Sequence, residues 1–202
     1  MAEEATDQHK ERMERRKEGF ERRKAAATLE KGLILVNTGN GKGKTTASLG
    51  LAFRALGQGM KVGIVQFIKG AIATGEAALV QKLNLPIEMH TMGQGFTWNT
   101  QDREADVAQA RAAWAKAVSL LRDASFDLVI LDELNVVVSY DYLPLAEVLE
   151  ELKNKRPELH VVVTGRAARP ELIELADLVT EMKLVKHPYR EQGVKPQKGI
   201  EF

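Results

Sequence analysis

The residues of this chain best equipped for chemistry are Thr38-Gly39-Asn40-Gly41-Lys42-Gly43-Lys44-Thr45-Thr46. Gly43-Lys44-Thr45 matches the close of the phosphate-loop pattern G-x-x-x-x-G-K-[ST]. The first glycine position of that pattern holds Thr38, and Gly39 stands one residue late, so the loop is a variant. The chemistry follows from the residue types. Glycines at 39, 41 and 43 let backbone N–H groups turn inward around a polyphosphate. A helix opening near Lys44 adds its partial positive end. Lys44 neutralises phosphate oxygens, and the Thr45 hydroxyl ligates Mg²⁺. Strand before, helix after and Gly-Lys-Thr at the junction set this apart from a glycine-rich turn with surface lysines.

Two further stretches add to the site. Val129-Ile130-Leu131-Asp132-Glu133 is an apolar run ending in two acids. Asp132 or Glu133 could hold Mg²⁺ directly or through water. Gly93-Gln94-Gly95-Phe96-Thr97-Trp98 places two aromatics in a glycine-flanked loop, off any helical stripe. Phe96 and Trp98 on a ligand-side loop suit a flat apolar partner. Trp114, by contrast, falls at core spacing on a helix. His9, His90, His160 and His187 are widely separated and show no metal-ligand spacing. Together these features read as a site for a metal–nucleoside triphosphate. They leave hydrolysis, phosphoryl transfer and switching open.

The elements that must position these residues alternate between strand and helix. Leu33–Val36, Val62–Phe67 and Leu128–Leu131 are short apolar runs of the kind buried on both faces of a sheet. His160–Val163 is another, Ile87–Thr91 a weaker one, and a last strand is expected near Thr180–Val185. Between them lie helices over about 44–56, with an apolar face of Leu49, Ala52, Phe53 and Leu56, and over about 74–83 and 102–123. Others open at Pro144 and Pro170. The long helix over 102–123 turns Val107, Trp114, Val118 and Leu121 to one side. Repeated strand–helix units predict an α/β fold, a mostly parallel sheet of about six strands with helices on both faces. Ligands of such sheets bind beyond the carboxyl ends of the strands, where the loops above fall.

Residues 1–31 differ in kind. Nine basic and eight acidic residues interleave there at helical spacing, with few apolar ones. These charges support a solvated helical segment, expected either as a frayed or disordered tail or as an arm docked on another subunit, preceding a nucleotide- and corrinoid-binding domain over 32–202. The whole chain has 202 residues, with 29 Lys+Arg against 28 Asp+Glu. That balance speaks against nucleic-acid binding, which needs a cationic surplus. No cysteine is present, which excludes thiolate chemistry and fits a reducing compartment. No apolar run approaches the roughly 20 residues that cross a bilayer. Charges stand where a signal peptide would have its apolar core. A cytoplasmic protein without membrane association is expected.

The order of the motifs resembles the corrinoid adenosyltransferases of the CobA/BtuR type. The resemblance rests on GNGKGKTT (39–46), VQFIKG (65–70), GFTWNT (95–100), READ (103–106), LDEL (131–134), YDYLP (140–144), TGR (164–166), VKH (185–187) and GIEF (199–202). It spans nearly the whole chain, and its loop shares the displaced first glycine. The resemblance implies a phosphate-loop NTPase-like fold. It also implies transfer of the 5′-deoxyadenosyl group of ATP to the Co(I) centre of a reduced corrinoid, with triphosphate leaving and ATP lying reversed in the loop. Residue by residue, it implies that Gly39, Asn40, Gly41, Lys42, Gly43, Lys44, Thr45 and Thr46 bind the triphosphate. Thr45, Asp132 and Glu133 handle Mg²⁺ or Mn²⁺, with Glu133 in direct contact, and Arg54 touches the nucleotide. Lys44, Thr45 and Glu133 are the catalytic set, and Phe96 and Trp98 cover the lower corrin face. A homodimer, with the arm closing the partner's corrinoid site, and a reduced flavoprotein as electron donor are further implications. The competing expectations are a phosphate-loop ATPase yielding ADP and phosphate, and a module that binds nucleotide without turnover.

Overall fold

The computed structural model describes residues 2–68, 75–92 and 102–201. The chain divides into two compact units, Met1–Lys31 and Gly32–Phe202. The first unit holds one helix, α1 (Ala2–Ala26). From Gln8 onward nearly every side chain on it is exposed, as the interleaved charges require. Glu11 and Arg15 pair at 3.8 Å across one helical turn, and Arg23 and Lys24 sit at the carboxyl end, where the helix dipole favours cations.

The second unit runs β1 (Ile34–Thr38), α2 (Lys44–Gly57), β2 (Val62–Gln66), α3 (Gly75–Lys82), β3 (Ile87–Thr91) and α4 (Arg103–Arg122). It continues with β4 (Leu128–Asp132), α5 (Leu134–Ser139), α6 (Leu145–Lys153), β5 (His160–Thr164), α7 (Pro170–Leu175), β6 (Leu178–Glu181) and α8 (Pro188–Gln192). The six strands form one sheet in the order β3-β2-β4-β5-β1-β6, and every neighbouring pair is parallel. Successive residues of a strand face opposite sides. Val62, Ile64, Leu128, Ile130 and Val162 therefore pack with Leu49, Ala52 and Ala55 of α2. Val65, Val129, Leu131, Val161 and Val163 pack on the other side with Trp114, Leu120, Leu134, Val148 and Leu172. The apolar runs are continuous because both faces of these strands are covered.

Some expectations are corrected. Phe53 is 40% exposed, and Ala55 takes the buried place on α2. The inward positions 48, 49, 52 and 55 follow the helical repeat, and Phe53 lies one residue off it. On α4, Ala110, Ala113 and Ala117 join Trp114 and Leu121 in the core, while Val107 and Val118 are half-buried at its flank. The last strand is Leu178–Glu181, not Thr180–Val185. It pairs with β1 from Leu35↔Leu178 to Thr38↔Glu181, and Val185 lies beyond it, exposed. The short helices α5 and α8 lie where the sequence pattern indicates no element.

One feature of the sheet positions the site. At the carboxyl edge the register joins Thr91, Gln66 and Asp132, and separately Thr164, Asn37 and Thr180. The Thr164 hydroxyl donates to Asp132, so a polar row crosses all six strands on the side where ligand loops emerge.

Candidate active site

The loop between β1 and α2 turns through two left-handed glycines, Gly39 (φ 91°) and Gly43 (φ 106°). Its shape is held from behind by the chain leaving β6. The Met182 N–H donates to the Thr38 carbonyl at 2.8 Å, and the Gly41 N–H donates to the Met182 carbonyl at 2.6 Å. A Cβ at Gly39 would lie 2.5 Å from the Met182 oxygen, and one at Gly41 would lie 2.7 Å from the Lys183 oxygen. The glycines at 39 and 41 thus permit backbone to pack on backbone. Gly43 caps α2 and, having no side chain, does not itself occupy the N–H groups of its first turn.

Lys44 is 7% exposed, and its ammonium lies within the loop. It donates to the carbonyls of Gly39 at 2.8 Å and Gly41 at 2.7 Å. Burial lowers its pKa from the ordinary lysine value. The carboxylate of Glu133 opposes that shift, Arg166 adds to it, and Asp132 and Lys42 contribute less. Two acids, Glu133 and Asp132, and two further cations, Arg166 and Lys42, therefore act together on the Lys44 ammonium. Lys42 is exposed and forms an ion pair with Glu201 near the carboxyl terminus. Asn40 is exposed at the rim of a cleft of about 410 Å³. Arg166, Glu181, Lys183, Leu184 and Arg190 line the rest of it.

The acids meet the loop across β5. The Thr45 hydroxyl donates to Asp132 Oδ1 at 2.9 Å, and the Thr164 hydroxyl donates to the same oxygen at 2.8 Å. Gln66 Nε2 donates to Asp132 Oδ2 at 3.1 Å. Asp132 is 1% exposed, and these donors compensate its lost hydration. The Glu133 N–H donates to the Thr164 hydroxyl at 2.9 Å, which fixes the turn out of β4. Glu133 itself is half-buried and left-handed (φ 65°), a costly conformation for a side-chain-bearing residue. It opens α5 without using its carboxylate as a cap.

The structure thus brings Gly39–Thr45, Asp132 and Glu133 together. Thr46 is exposed on the first turn of α2. Arg54 stands apart in the last turn of α2, about 15 Å along the axis from Lys44 at 1.5 Å per residue. Phe96 and Trp98 lie outside the described residues. Four residues absent from the sequence-based site belong beside it: Gln66, Thr91, Thr164 and Arg166. Gln66 and Thr164 carry a faint signal, each a polar residue closing a mostly apolar strand, VGIVQ and HVVVT, whereas Thr91 closes the mixed strand IEMHT and carries none.

The donor set suits a divalent ion shared with a triphosphate. No group of three or more His, Cys, Asp or Glu side chains able to hold a metal alone occurs among the described residues. Mg²⁺ is commonly held by one or two carboxylates, a hydroxyl and substrate phosphates. Thr45, with its proton committed to Asp132, and Glu133, next to Asp132 in the chain and acting on Lys44, offer that partial shell.

Comparison with known proteins adds to this geometry. The model of the family described as ATP:corrinoid adenosyltransferase BtuR/CobO/CobP matches residues 30–202. A corrinoid adenosyltransferase of Pseudomonas aeruginosa is 51% identical over 98% of this chain and 98% of its own length. One from Sinorhizobium sp is 51% identical over 100% of this chain and 94% of its own. One from Escherichia coli K12 is 47% identical over 97% and 98%.

Proposed function

The chain belongs to the ATP:corrinoid adenosyltransferase family, and from that membership we propose how its residues divide the work. The enzyme transfers the 5′-deoxyadenosyl group of ATP to the cobalt of a reduced corrinoid, forming adenosylcobalamin. The electron pair of Co(I) attacks ribose C5′, a cobalt–carbon bond forms, and the C5′–oxygen bond breaks with its electrons leaving on triphosphate. Cobalt passes formally from Co(I) to Co(III). No proton is removed from the nucleophile, so no side chain is required as general base.

The observation that carries this division is Lys44, buried in a glycine loop in the field of two acids and of Arg166, which also lines a cationic cleft. In an NTPase such a loop stabilises charge on a transferred terminal phosphoryl group. Here the whole triphosphate gains charge as it departs. ATP lies reversed, with C5′ facing the corrinoid. The loop amides from Gly39 to Thr46 other than that of Gly41, which is bound to Met182, with Asn40 among them, together with Lys42 and Lys44 are then aimed at the developing charge, where preorganised donors act most strongly. One such donor is worth about 3 kcal/mol of barrier. Bound Mg²⁺ or Mn²⁺ would supply further neutralisation of the triphosphate. Thr45 and Glu133 would hold it, and Asp132 would orient Thr45. Lys44, Thr45 and Glu133 form the catalytic set. Arg54, at the far end of α2, suits the nucleoside rather than the phosphates.

Phe96 and Trp98 cover the lower corrin face and exclude the axial base, which leaves four-coordinate Co(II) easier to reduce. The electron comes from a reduced flavoprotein, and the enzyme works in the cytoplasm. Among the described residues no helix is long and apolar enough to cross a membrane, which is compatible with that site of action. The enzyme acts as a homodimer in which the charged arm, residues 1–31, closes the partner's corrinoid site over domain 32–202. Removing residues 1–25 then raises the corrinoid KM and leaves ATP affinity unchanged. Equal corrinoid KM values would remove the arm from this role.

The direct test is incubation with ATP, Mg²⁺ and chemically reduced cobalamin while the absorption spectrum is followed. A light-sensitive alkylcobalamin spectrum, absent without ATP, is expected. ADP and orthophosphate with an unchanged corrinoid spectrum would mark an ATPase. Bound ATP without any product would mark a binding module.

A further inference from the structure

Gln66 ends β2 in the polar row and is 2% exposed. Val62 and Ile64, which precede it on the same face of the strand, and Val65 on the other face are all buried and apolar. A primary amide buried there is costly unless both its ends are paired. Both are. Nε2 donates to Asp132 Oδ2 at 3.1 Å, and Oε1 accepts from the Thr91 hydroxyl at 3.0 Å. Gln66 is also the register partner of both residues, Thr91 on β3 and Asp132 on β4.

We propose that Gln66 is a positioning residue for the metal side of the nucleotide site, and that it acts under the control of Thr91. Gripping Oδ2 fixes the plane of the Asp132 carboxylate and turns Oδ1 toward Thr45 and Thr164. Thr45 then spends its single proton on Asp132, so its lone pairs are what it offers to a cation. Without the amide, the carboxylate rotates and the Thr45 proton is no longer committed. Thr91 sets the amide in turn. It ends β3, so a change in that strand's carboxyl end reaches Thr45 through two side chains, Gln66 and Asp132. The inference rests on the reading that a metal–triphosphate occupies the glycine loop, and it assigns residues to that site which the phosphate-loop pattern does not contain.

The test uses Mn²⁺ and ATP with the full chain, reading free Mn²⁺ by electron paramagnetic resonance. Gln66→Leu is expected to raise the half-saturating Mn²⁺ about 10- to 100-fold, the range for residues that orient a metal ligand. ATP binding in excess chelator should stay within about twofold, a split that a merely structural defect would not produce. Thr91→Val should raise half-saturation about threefold, the loss of one neutral hydrogen bond. The double variant should be no weaker than Gln66→Leu alone, because Thr91 acts through Gln66. Wild-type Mn²⁺ affinity in a folded Gln66→Leu protein overturns the proposal. So do equal losses with and without metal, or additive effects in the double variant. Should Gln66→Leu fail to fold, Thr91→Val decides, and unchanged Mn²⁺ affinity there overturns it. A wild-type chain that binds no Mn–ATP overturns the underlying reading as well. One that binds it, with variants that do not shift, overturns the positioning role alone.

Discussion

Substituting Gly41 by alanine tests whether the loop's shape comes from backbone packed on backbone. A Cβ there would lie 2.7 Å from the carbonyl oxygens of both Met182 and Lys183, whereas real Cβ atoms essentially never come within 3.0 Å. The loop must therefore shift by about 0.3–0.7 Å to regain ordinary contact. It cannot shift freely. The Gly41 N–H is bonded to Met182 at 2.6 Å, and Met182 is bonded to Thr38 at 2.8 Å, so retreat breaks a hydrogen bond worth about 1 kcal/mol. A misplacement of about 1 Å costs on the order of 100-fold where groups must meet a developing charge. Gly41→Ala should then lower kcat/KM for ATP about 10- to 100-fold. Gly50→Ala is the internal control. Gly50 lies within α2, and a Cβ there would meet nothing within 4 Å. That change should stabilise the protein by about 0.5–1 kcal/mol and leave kcat/KM unaltered. Steady-state kinetics and thermal melts of the two variants give both numbers. Wild-type kcat/KM in Gly41→Ala, or equal losses in the two variants, would refute the reasoning.

Other outcomes follow from the same geometry. Thr164→Val keeps the shape of the side chain but removes the donor to Asp132 and the acceptor for the Glu133 N–H, so kcat/KM should fall about 30-fold, or about 2 kcal/mol. A change below about twofold would remove Thr164 from the site. Arg166→Gln should weaken binding of inorganic triphosphate about tenfold and leave adenosine binding unchanged, because its charge bears on Lys44 and the adjoining cleft. Calorimetric titration distinguishes the two, and equal losses would count against a phosphate role. Trp98→Ala should impair adenosylation that starts from Co(II) and a reductase more than adenosylation of pre-formed Co(I). Equal losses in the two assays would remove it from axial-ligand exclusion.

The alternating strand–helix pattern and the glycine loop were legible because each is local. Leu128–Leu131 reads as a buried strand wherever it is met, and Gly43-Lys44-Thr45 needs only the strand before it and the helix after it. β6 was less legible: it is an edge strand with largely exposed side chains, so its residues carry little apolar signal, and pairing with β1 sets its limits. Leu49, Ala52, Phe53 and Leu56 also fit a helical repeat, but the face that packs on the sheet is turned toward Ser48, Ala52 and Ala55, which leaves Phe53 outward. Gln66, Thr91 and Thr164 went unread for a different reason. A polar residue closing a strand, as Gln66 and Thr164 do, does not by itself point to a site, and only the order β3-β2-β4-β5 lines the three up beside Asp132. The role of Met182 and Lys183 behind the loop was invisible for the same cause, since well over a hundred residues of chain separate them from Gly41. Arg166 had a sequence signal in Thr164-Gly165-Arg166, but its charge gains meaning only from lying near Lys44.

The central claim is that ATP surrenders its C5′ carbon and retains all three phosphoryl groups as one leaving group. The most direct measurement uses ATP labelled with ¹³C at the 5′ position, pre-reduced cobalamin, and paired carbon and phosphorus NMR. The account predicts a cobalt-bound ¹³C resonance that disappears on illumination, together with an equal quantity of inorganic triphosphate. Label remaining in ADP, with orthophosphate as the phosphorus product, would contradict it.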